Sequence, residues 1–167
     1  MEAVLTLIEQ IIAEHHTILQ RLEDLEEVAN DAEALRGFEQ AQESFVPGRL
    51  NERQGLERLE KLVSLVDQGL RAHFDREETA LLAAFEGQGS RELASAFHSL
   101  LLEHADLKNR IARTREQVAQ LTGGQLSRHS WEATANDLRA HVSHTHRLLQ
   151  AHAEAEQELL ISLLADC

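Results

Sequence analysis

Two stretches of this chain pair a histidine with a glutamate four residues later: His73 with Glu77, and His152 with Glu156. On an α-helix this spacing stacks both side chains on one face, one turn apart. Imidazole and carboxylate groups are the ligands of mixed nitrogen and oxygen metal sites. A single His-x-x-x-Glu pair is weak evidence, but two copies, each within an apolar helical stripe, indicate a common site.

Each pair follows another histidine that stands directly after a glutamate, in Glu14-His15 and in Glu103-His104. The apolar and basic residues that follow these two dipeptides also match between the two places. The chain therefore has two similar halves. Each half has one helix with a single inward histidine, followed by one helix with a His-x-x-x-Glu pair.

Four segments with apolar residues at helical spacing must position these side chains. The first runs over about residues 2–36 and leads into a long connection, which is broken at Gly37 and at 45–48. The second starts near Asn51, a good N-cap residue, and ends at the glycines of 87–89.

The third segment begins after Ser90, a second N-cap, and ends at the glycines of 122–124. The fourth begins between Leu126 and Trp131. Short turns between long amphipathic helices favour antiparallel neighbours. The sequence therefore predicts an all-α protein, a single domain over 1–167 with an up-down-up-down antiparallel four-helix bundle.

The four histidines fall at the same height in such a bundle. Counted along each helix at about 1.5 Å per residue, all of them lie roughly 20 Å from the same end. The two glutamates lie about 6 Å further along, one turn nearer that end. The predicted layer consists of His15, His73, Glu77, His104, His152 and Glu156.

Six polar side chains in an apolar core are unfavourable unless something satisfies them. A hydrogen-bonded core histidine is a reasonable interpretation of any one of them alone, but a metal site explains all six together. Nitrogen and oxygen ligands without a thiolate favour iron, manganese or zinc over copper(I) or an iron–sulfur cluster. Carboxylates at one level can bridge two ions, as in the di-metal sites of helical bundles.

Composition excludes several other classes of protein. The net charge of −13 disfavours nucleic acid and anionic lipid as partners. The only cysteine is Cys167, so neither a disulfide framework nor a thiolate cluster can form within one chain. The apolar start of the chain is too short and too charged for a membrane span and lacks the basic residues of a signal peptide. We expect a soluble, cytoplasmic protein.

The motifs together, in this order along the chain, resemble the hemerythrin-like, HHE cation-binding domain family. The resemblance covers nearly the whole chain and implies a non-haem diiron centre in a four-helix bundle. It implies two iron ions, with manganese or zinc as substitutes. The four histidines of the layer would be terminal ligands, and the two glutamates would be carboxylate ligands that bridge the ions.

One residue departs from the oxygen-carrying members of that family, which have a histidine where this chain has Glu77. An anionic ligand there should favour the ferric state and leave one iron more open. The expected function is therefore binding of a small diatomic or peroxide (oxygen, nitric oxide, hydrogen peroxide) in oxygen or redox sensing or in the oxidative-stress response. A sensor would also need a protein partner.

Three alternatives stay open at this point. The first is a diiron oxidoreductase that turns over peroxide, nitric oxide or an organic substrate. The second is iron storage, delivery or sensing without catalysis. The third is a metal-free acidic bundle that docks a partner helix.

The remaining polar residues near the stripes have less specific interpretations. His141 returns to the inward stripe of His152, and we predict that it forms a second polar layer with Glu26 and Arg115. Glu78 could reach the metal but is placed in solvent. His16 lies toward the polar flank of the first helix. Solvated positions are predicted for four other histidines, with His144 at the edge of the stripe: His98, His129, His144 and His146.

Overall fold

The computed structural model describes residues 2–31 and 50–166. Within them the chain is helical and contains no β-strand, which confirms the predicted all-α class. The elements are α1 (Glu2–Asp31), α2 (Leu50–Arg76), a π-helical turn (Glu77–Leu81), α3 (Leu82–Gln88), α4 (Arg91–Leu101), α5 (Glu103–Thr122) and α6 (Arg128–Asp166). The break predicted at Gly37 and 45–48 lies outside the described residues, as does the end of the first predicted helix.

These elements form four helical rods. Rod 1 is α1, and rod 2 is the continuous run of α2, the π-helical turn and α3. Rod 3 is α4 and α5, which only Leu102 separates, and rod 4 is α6. Rod 1 packs against rods 2 and 4, and rod 3 packs against the same two, as expected of a helical bundle.

The predicted ends of the rods follow from local chemistry. The Ser90 hydroxyl accepts a hydrogen bond from the Leu93 backbone N–H at 3.1 Å, which caps α4 as predicted. Gly123 and Gly124 follow α5, and the φ of 71° at Gly124 lies in the left-handed region that glycine adopts freely. The indole N–H of buried Trp131 donates to the Leu121 carbonyl at 3.1 Å and ties the start of α6 to the end of α5.

The apolar core has two clusters, which take different parts of each rod. On rod 1, one cluster includes residues 4–11 and the other begins at Ile18. On rod 4, one cluster ends at Leu149 and the other begins at Leu160. The polar residues predicted for the site come between the two clusters along rods 1, 3 and 4, and so does Glu77 on rod 2, where His73 directly precedes Phe74 of the first cluster. Apolar packing therefore flanks the polar layer on both sides.

Two features of the helices were not predicted. The Leu102 break between α4 and α5 has no glycine or proline to mark it, and the Leu102 side chain is 79% exposed. The π-helical turn begins at Glu77, one of the predicted ligands. Among the described residues, no helix combines the length and the apolar composition needed to cross a membrane.

Candidate metal centre

All six residues predicted for the site converge between the four rods, and none is more than 7% exposed. They are His15, His73, Glu77, His104, His152 and Glu156. Rods 1 and 3 each contribute one imidazole, and rods 2 and 4 each contribute one imidazole and one carboxylate. This is the division between helices that the two-half sequence pattern predicts.

The donor atoms form two groups, and within each group they lie within 4.8 Å of one another. Group A consists of His15, His73, Glu77 and Glu156. Group B consists of Glu77, His104 and His152. Glu77 belongs to both groups, so its carboxylate is placed where it could bridge two ions.

The shortest distances run from imidazole Nε2 atoms to carboxylate oxygens. Glu77 Oε1 lies 3.2 Å from His104 Nε2 and 3.4 Å from His73 Nε2. Glu156 lies between two other histidines, with Oε1 at 3.4 Å from His15 Nε2 and Oε2 at 3.5 Å from His152 Nε2. Each imidazole therefore directs Nε2 toward the carboxylates.

These side chains leave many polar atoms without hydrogen bonds. In the described part of the chain, eleven buried side-chain nitrogen and oxygen atoms have no hydrogen-bond partner, and nine of them belong to the six residues. They include all four carboxylate oxygens of Glu77 and Glu156. Unpaired polar atoms in a core are costly, and metal coordination would satisfy them. The donors fit a nitrogen- and oxygen-ligated metal ion.

The pKa values of the two buried carboxyls, Glu77 and Glu156, are shifted in opposite directions. Burial, together with the neighbouring Glu156, raises the pKa of Glu77 well above its ordinary value of 4.5. Burial would also raise the pKa of Glu156, but contacts with Glu77, His15 and His152 outweigh burial and lower it. Without a metal, the pair thus favours a proton on Glu77. A cation between the two carboxylates would replace that proton.

Burial also acts on the imidazoles. Burial, followed by the charge of nearby His152, lowers the pKa of His104 to about 3. Burial is likewise the main reason why the pKa of His73 is lowered. These two imidazoles therefore stay neutral at ordinary pH, which is the form that binds metal.

Three further carboxylates lie behind the imidazoles, on the side away from the centre. Glu103 Oε1 is 2.9 Å from Nδ1 of His152, and Glu78 Oε1 is 3.2 Å from Nδ1 of His104. The solvent position predicted for Glu78 is only partly right, because its side chain is 38% exposed but reaches this imidazole. Glu14 lies 3.4 Å from Nδ1 of His73.

The sequence predicts no contact with an imidazole for Glu14, Glu78 or Glu103, although Glu14 and Glu103 belong to the repeated Glu-His dipeptides. Glu14 and Glu103 each stand next to one histidine of the site in sequence, yet each contacts a histidine on another rod. The dipeptide spacing alone does not show this, because consecutive residues do not face each other on a helix. A signal was nonetheless present in the repetition of the dipeptide in both halves.

Phe74 gives group B an apolar wall. Its ring stacks on that of His104, with centroids 3.7 Å apart and an interplanar angle of 8°. Phe74 also lines a small cavity of about 10 Å³, measured as space for the centre of a water-sized molecule, which adjoins His15, His73 and His152. The rest of its lining is apolar: Ile18, Leu19, Leu70, Phe74, Leu149 and Ala153.

The predicted second polar layer is wrong. His141 is half-buried, and its Nε2 lies 2.9 Å from the backbone carbonyl of Arg110, to which it can donate. Glu26 instead contacts Nδ1 of His146 at 2.7 Å, and Arg115 pairs with Asp67 at 2.9 Å. A short side chain–backbone bond satisfies His141 locally, so it does not need a charged partner.

The other histidines divide between two outcomes. Exposed positions were predicted for His98, His129 and His144, and the structure places them there; His16, on the polar flank, is exposed as well. His146 does not follow its prediction, because it is half-buried between rods 4 and 1 against Glu26.

Comparison with known proteins adds no family assignment. No protein-family model, no curated protein and no solved structure matches this chain.

Proposed function

We propose that this chain is a non-haem diiron protein that binds a small diatomic or peroxide at an open di-metal site. The observation that carries the proposal is the sharing of Glu77 by group A and group B, four buried imidazoles being divided equally between them. Two ions at these groups would satisfy side chains that the fold otherwise leaves unpaired.

Iron suits this set of donors better than the alternatives. Four imidazoles and two carboxylates, with no thiolate, match non-haem iron, and manganese or zinc can bind similar ligands. When bound, the two ions would supply redox chemistry toward oxygen, nitric oxide or hydrogen peroxide. Six protein ligands leave coordination positions open on a pair of ions.

The protein's own residues would hold the ligands and restrict access. The two apolar clusters exclude water from both sides of the layer. The cavity beside His15 and His73 has room for a water-sized molecule, which supports a small ligand over an organic substrate. An oxidoreductase acting on peroxide or nitric oxide remains compatible with this cavity, as does iron storage or sensing.

We also infer that the rods alternate in direction, in the up-down-up-down order of hemerythrin-like bundles. The contacts between rods 1 and 4 support this order. Residue 15 lies beside residue 156, and residue 26 beside residue 146, so numbers rise along one rod as they fall along the other. The short connections at 89–90 and 123–127 also favour antiparallel neighbours.

The test is spectroscopic and begins with iron-loaded, chemically reduced protein under nitrogen. We expect admission of air to oxidise the iron and change the absorption spectrum without reversal, because an anionic ligand at position 77 favours ferric iron. A spectrum that reverts each time oxygen is removed would indicate reversible carriage. Consumption of hydrogen peroxide at many equivalents per chain would favour the oxidoreductase. A chain that takes up no iron would contradict the proposal.

A further inference from the structure

The imidazoles of the two halves of the chain differ in the hydrogen-bond partners of their Nδ1 atoms. In group B, both Nδ1 atoms have a carboxylate within hydrogen-bonding distance: Glu78 for His104 at 3.2 Å and Glu103 for His152 at 2.9 Å. In group A, the Nδ1 atoms of His15 and His73 have no hydrogen-bond partner among the described residues. The difference separates the two proposed metal positions.

One cause is a competitor for Glu14. Glu14 corresponds to Glu103 in the repeat, but the Arg76 guanidinium binds its carboxylate in a fork, with Nη2 at 2.7 Å from Oε2 and Nε at 3.0 Å from Oε1. The same Oε1 is then left 3.4 Å from His73, too far for a strong hydrogen bond. In the other half, the residue at the place of Arg76 is Ala155, which cannot compete for Glu103.

The second cause is the π-helical turn. Glu78 is its second residue, and its side chain reaches across from rod 2 to His104 on rod 3. The corresponding residue in the other half is Gln157, which lies in regular α6 and is exposed. A π-helical turn holds more residues than an α-helical one, so only rod 2 can direct Glu77 inward and also bring its neighbour to an imidazole.

We propose that Glu78 and Glu103 are positioning residues for group B: each holds a proton on Nδ1 of one imidazole, so that both imidazoles present an unprotonated Nε2 to the ion. Fixing the tautomer and ring orientation in this way strengthens metal binding by histidine. Group A has one more carboxylate, Glu156, but behind its imidazoles only Glu14 approaches, at 3.4 Å from Nδ1 of His73. The two positions are therefore unequal, and they respond to different mutations.

This inference rests on the proposed metal function, but its first test needs no metal. The metal-free protein, labelled with ¹⁵N in histidine, shows by NMR which ring nitrogen of each neutral imidazole carries the proton. We expect the Nδ1–H tautomer at His104 and His152. Burial lowers the pKa of His152, but its contacts with Glu156 and Glu103 outweigh burial and raise it, so the spectrum is recorded at a pH at which this imidazole is neutral too. Glu103→Ala should return His152 to the Nε2–H form, and Glu103→Gln, whose amide oxygen still accepts a hydrogen bond, should keep Nδ1–H.

A converse variant should create the missing support in group A. Arg76→Ala frees the Glu14 carboxylate, so we expect His73 to move toward the Nδ1–H tautomer. Arg76→Lys, which keeps the charge but loses the planar fork, should have a smaller effect.

The second test measures metal release from the loaded protein into a chelator. Glu78→Ala and Glu103→Ala should each lower the affinity for one of the two ions on the order of 10-fold or more. The affinity for the other ion should stay unchanged. The matched control is Glu116→Ala, which removes an exposed glutamate from the same helix as Glu103 and should change neither ion.

The outcomes distinguish failure of this inference from failure of the proposed metal function. Unchanged tautomers in Glu103→Ala, or equal weakening of both ions, would overturn the inference even if the protein binds two irons. Failure of the unmodified chain to bind any metal would contradict the proposed function. In that case the tautomer measurement would still decide whether the two glutamates hold their imidazoles.

Discussion

At the scale of single residues, Glu77 shows the conflict between stability and metal binding most directly. Its side chain is fully buried, neither of its oxygens has a hydrogen bond, and its pKa is raised by burial and by Glu156. A buried carboxyl in this state destabilises the metal-free fold. Glu77 contributes favourably to the stability of the fold only when a cation binds its carboxylate.

We therefore predict that Glu77→Leu stabilises the metal-free protein while it impairs metal binding. An unpaired polar group in a core costs roughly 1–3 kcal/mol, and a leucine of similar size removes that cost. Urea unfolding of both proteins in chelator measures the free energy of unfolding, and elemental analysis measures the metal. Glu116→Leu is the exposed control. A less stable metal-free Glu77→Leu variant would show that Glu77 is satisfied without metal.

The Glu26–His146 pair gives a prediction with a defined pH dependence. The hydrogen bond from His146 is the main reason why the pKa of Glu26 is lowered below 4.5 in the folded protein. Its contribution to stability is thus present above the ordinary pKa and lost as pH falls through the lowered folded value. Because the pair is partly solvated, Glu26→Gln should reduce stability by less than about 1 kcal/mol at neutral pH.

Thermal unfolding of Glu26→Gln and the unmodified protein at neutral and at strongly acidic pH checks this. The difference between them should shrink in acid. A difference that grows in acid would contradict the assignment of the pair.

The residues of the polar layer were predictable from sequence because helical spacing places them on one face and at one level. The partners of these residues were not. Whether Glu26 pairs with His141 or His146 depends on how rods 1 and 4 rotate against each other. A spacing of eleven residues does not determine that rotation. Likewise, the fork between Arg76 and Glu14 joins two rods and leaves no trace in the spacing within either.

At the scale of elements, the π-helical turn at Glu77–Leu81 is the feature that sequence periodicity misses. A single extra residue shifts the pattern slightly, and the flanking apolar positions Phe74 and Leu81 still fit a helix. Its position at a candidate ligand agrees with the tendency of π-helical turns to occur at functional sites.

Deleting Thr79, an exposed residue inside the turn, should convert it to regular α-helix. The flanking parts of rod 2 would keep their faces, so we expect the helix content measured by circular dichroism to be retained. Glu78 should lose its contact with Nδ1 of His104, and the affinity for one of the two ions should fall. The control is deletion of Ala155 from regular α6, which turns the following residues by about 100° and should unfold the protein. Unchanged metal retention after the Thr79 deletion would contradict a role for the turn.

At the scale of the whole molecule, the four rods place two similar halves around one polar layer. The long amphipathic stripes and the caps at Ser90 and Gly123 made the helices predictable. The Leu102 break was not, because no residue there disfavours a helix strongly. The inequality of the two halves could not be predicted either, since it depends on how Arg76 and Glu78 reach across to other rods.

The central claim is that the six buried residues bind two metal ions, and elemental analysis of the purified protein tests it most directly. Protein from iron-replete cells should contain close to two irons per chain. His104→Ala and His152→Ala should each lower that content, whereas His129→Ala, at an exposed position, should leave it unchanged. Full iron content in all three variants, equal loss in all three, or no metal in the unmodified protein would contradict the account.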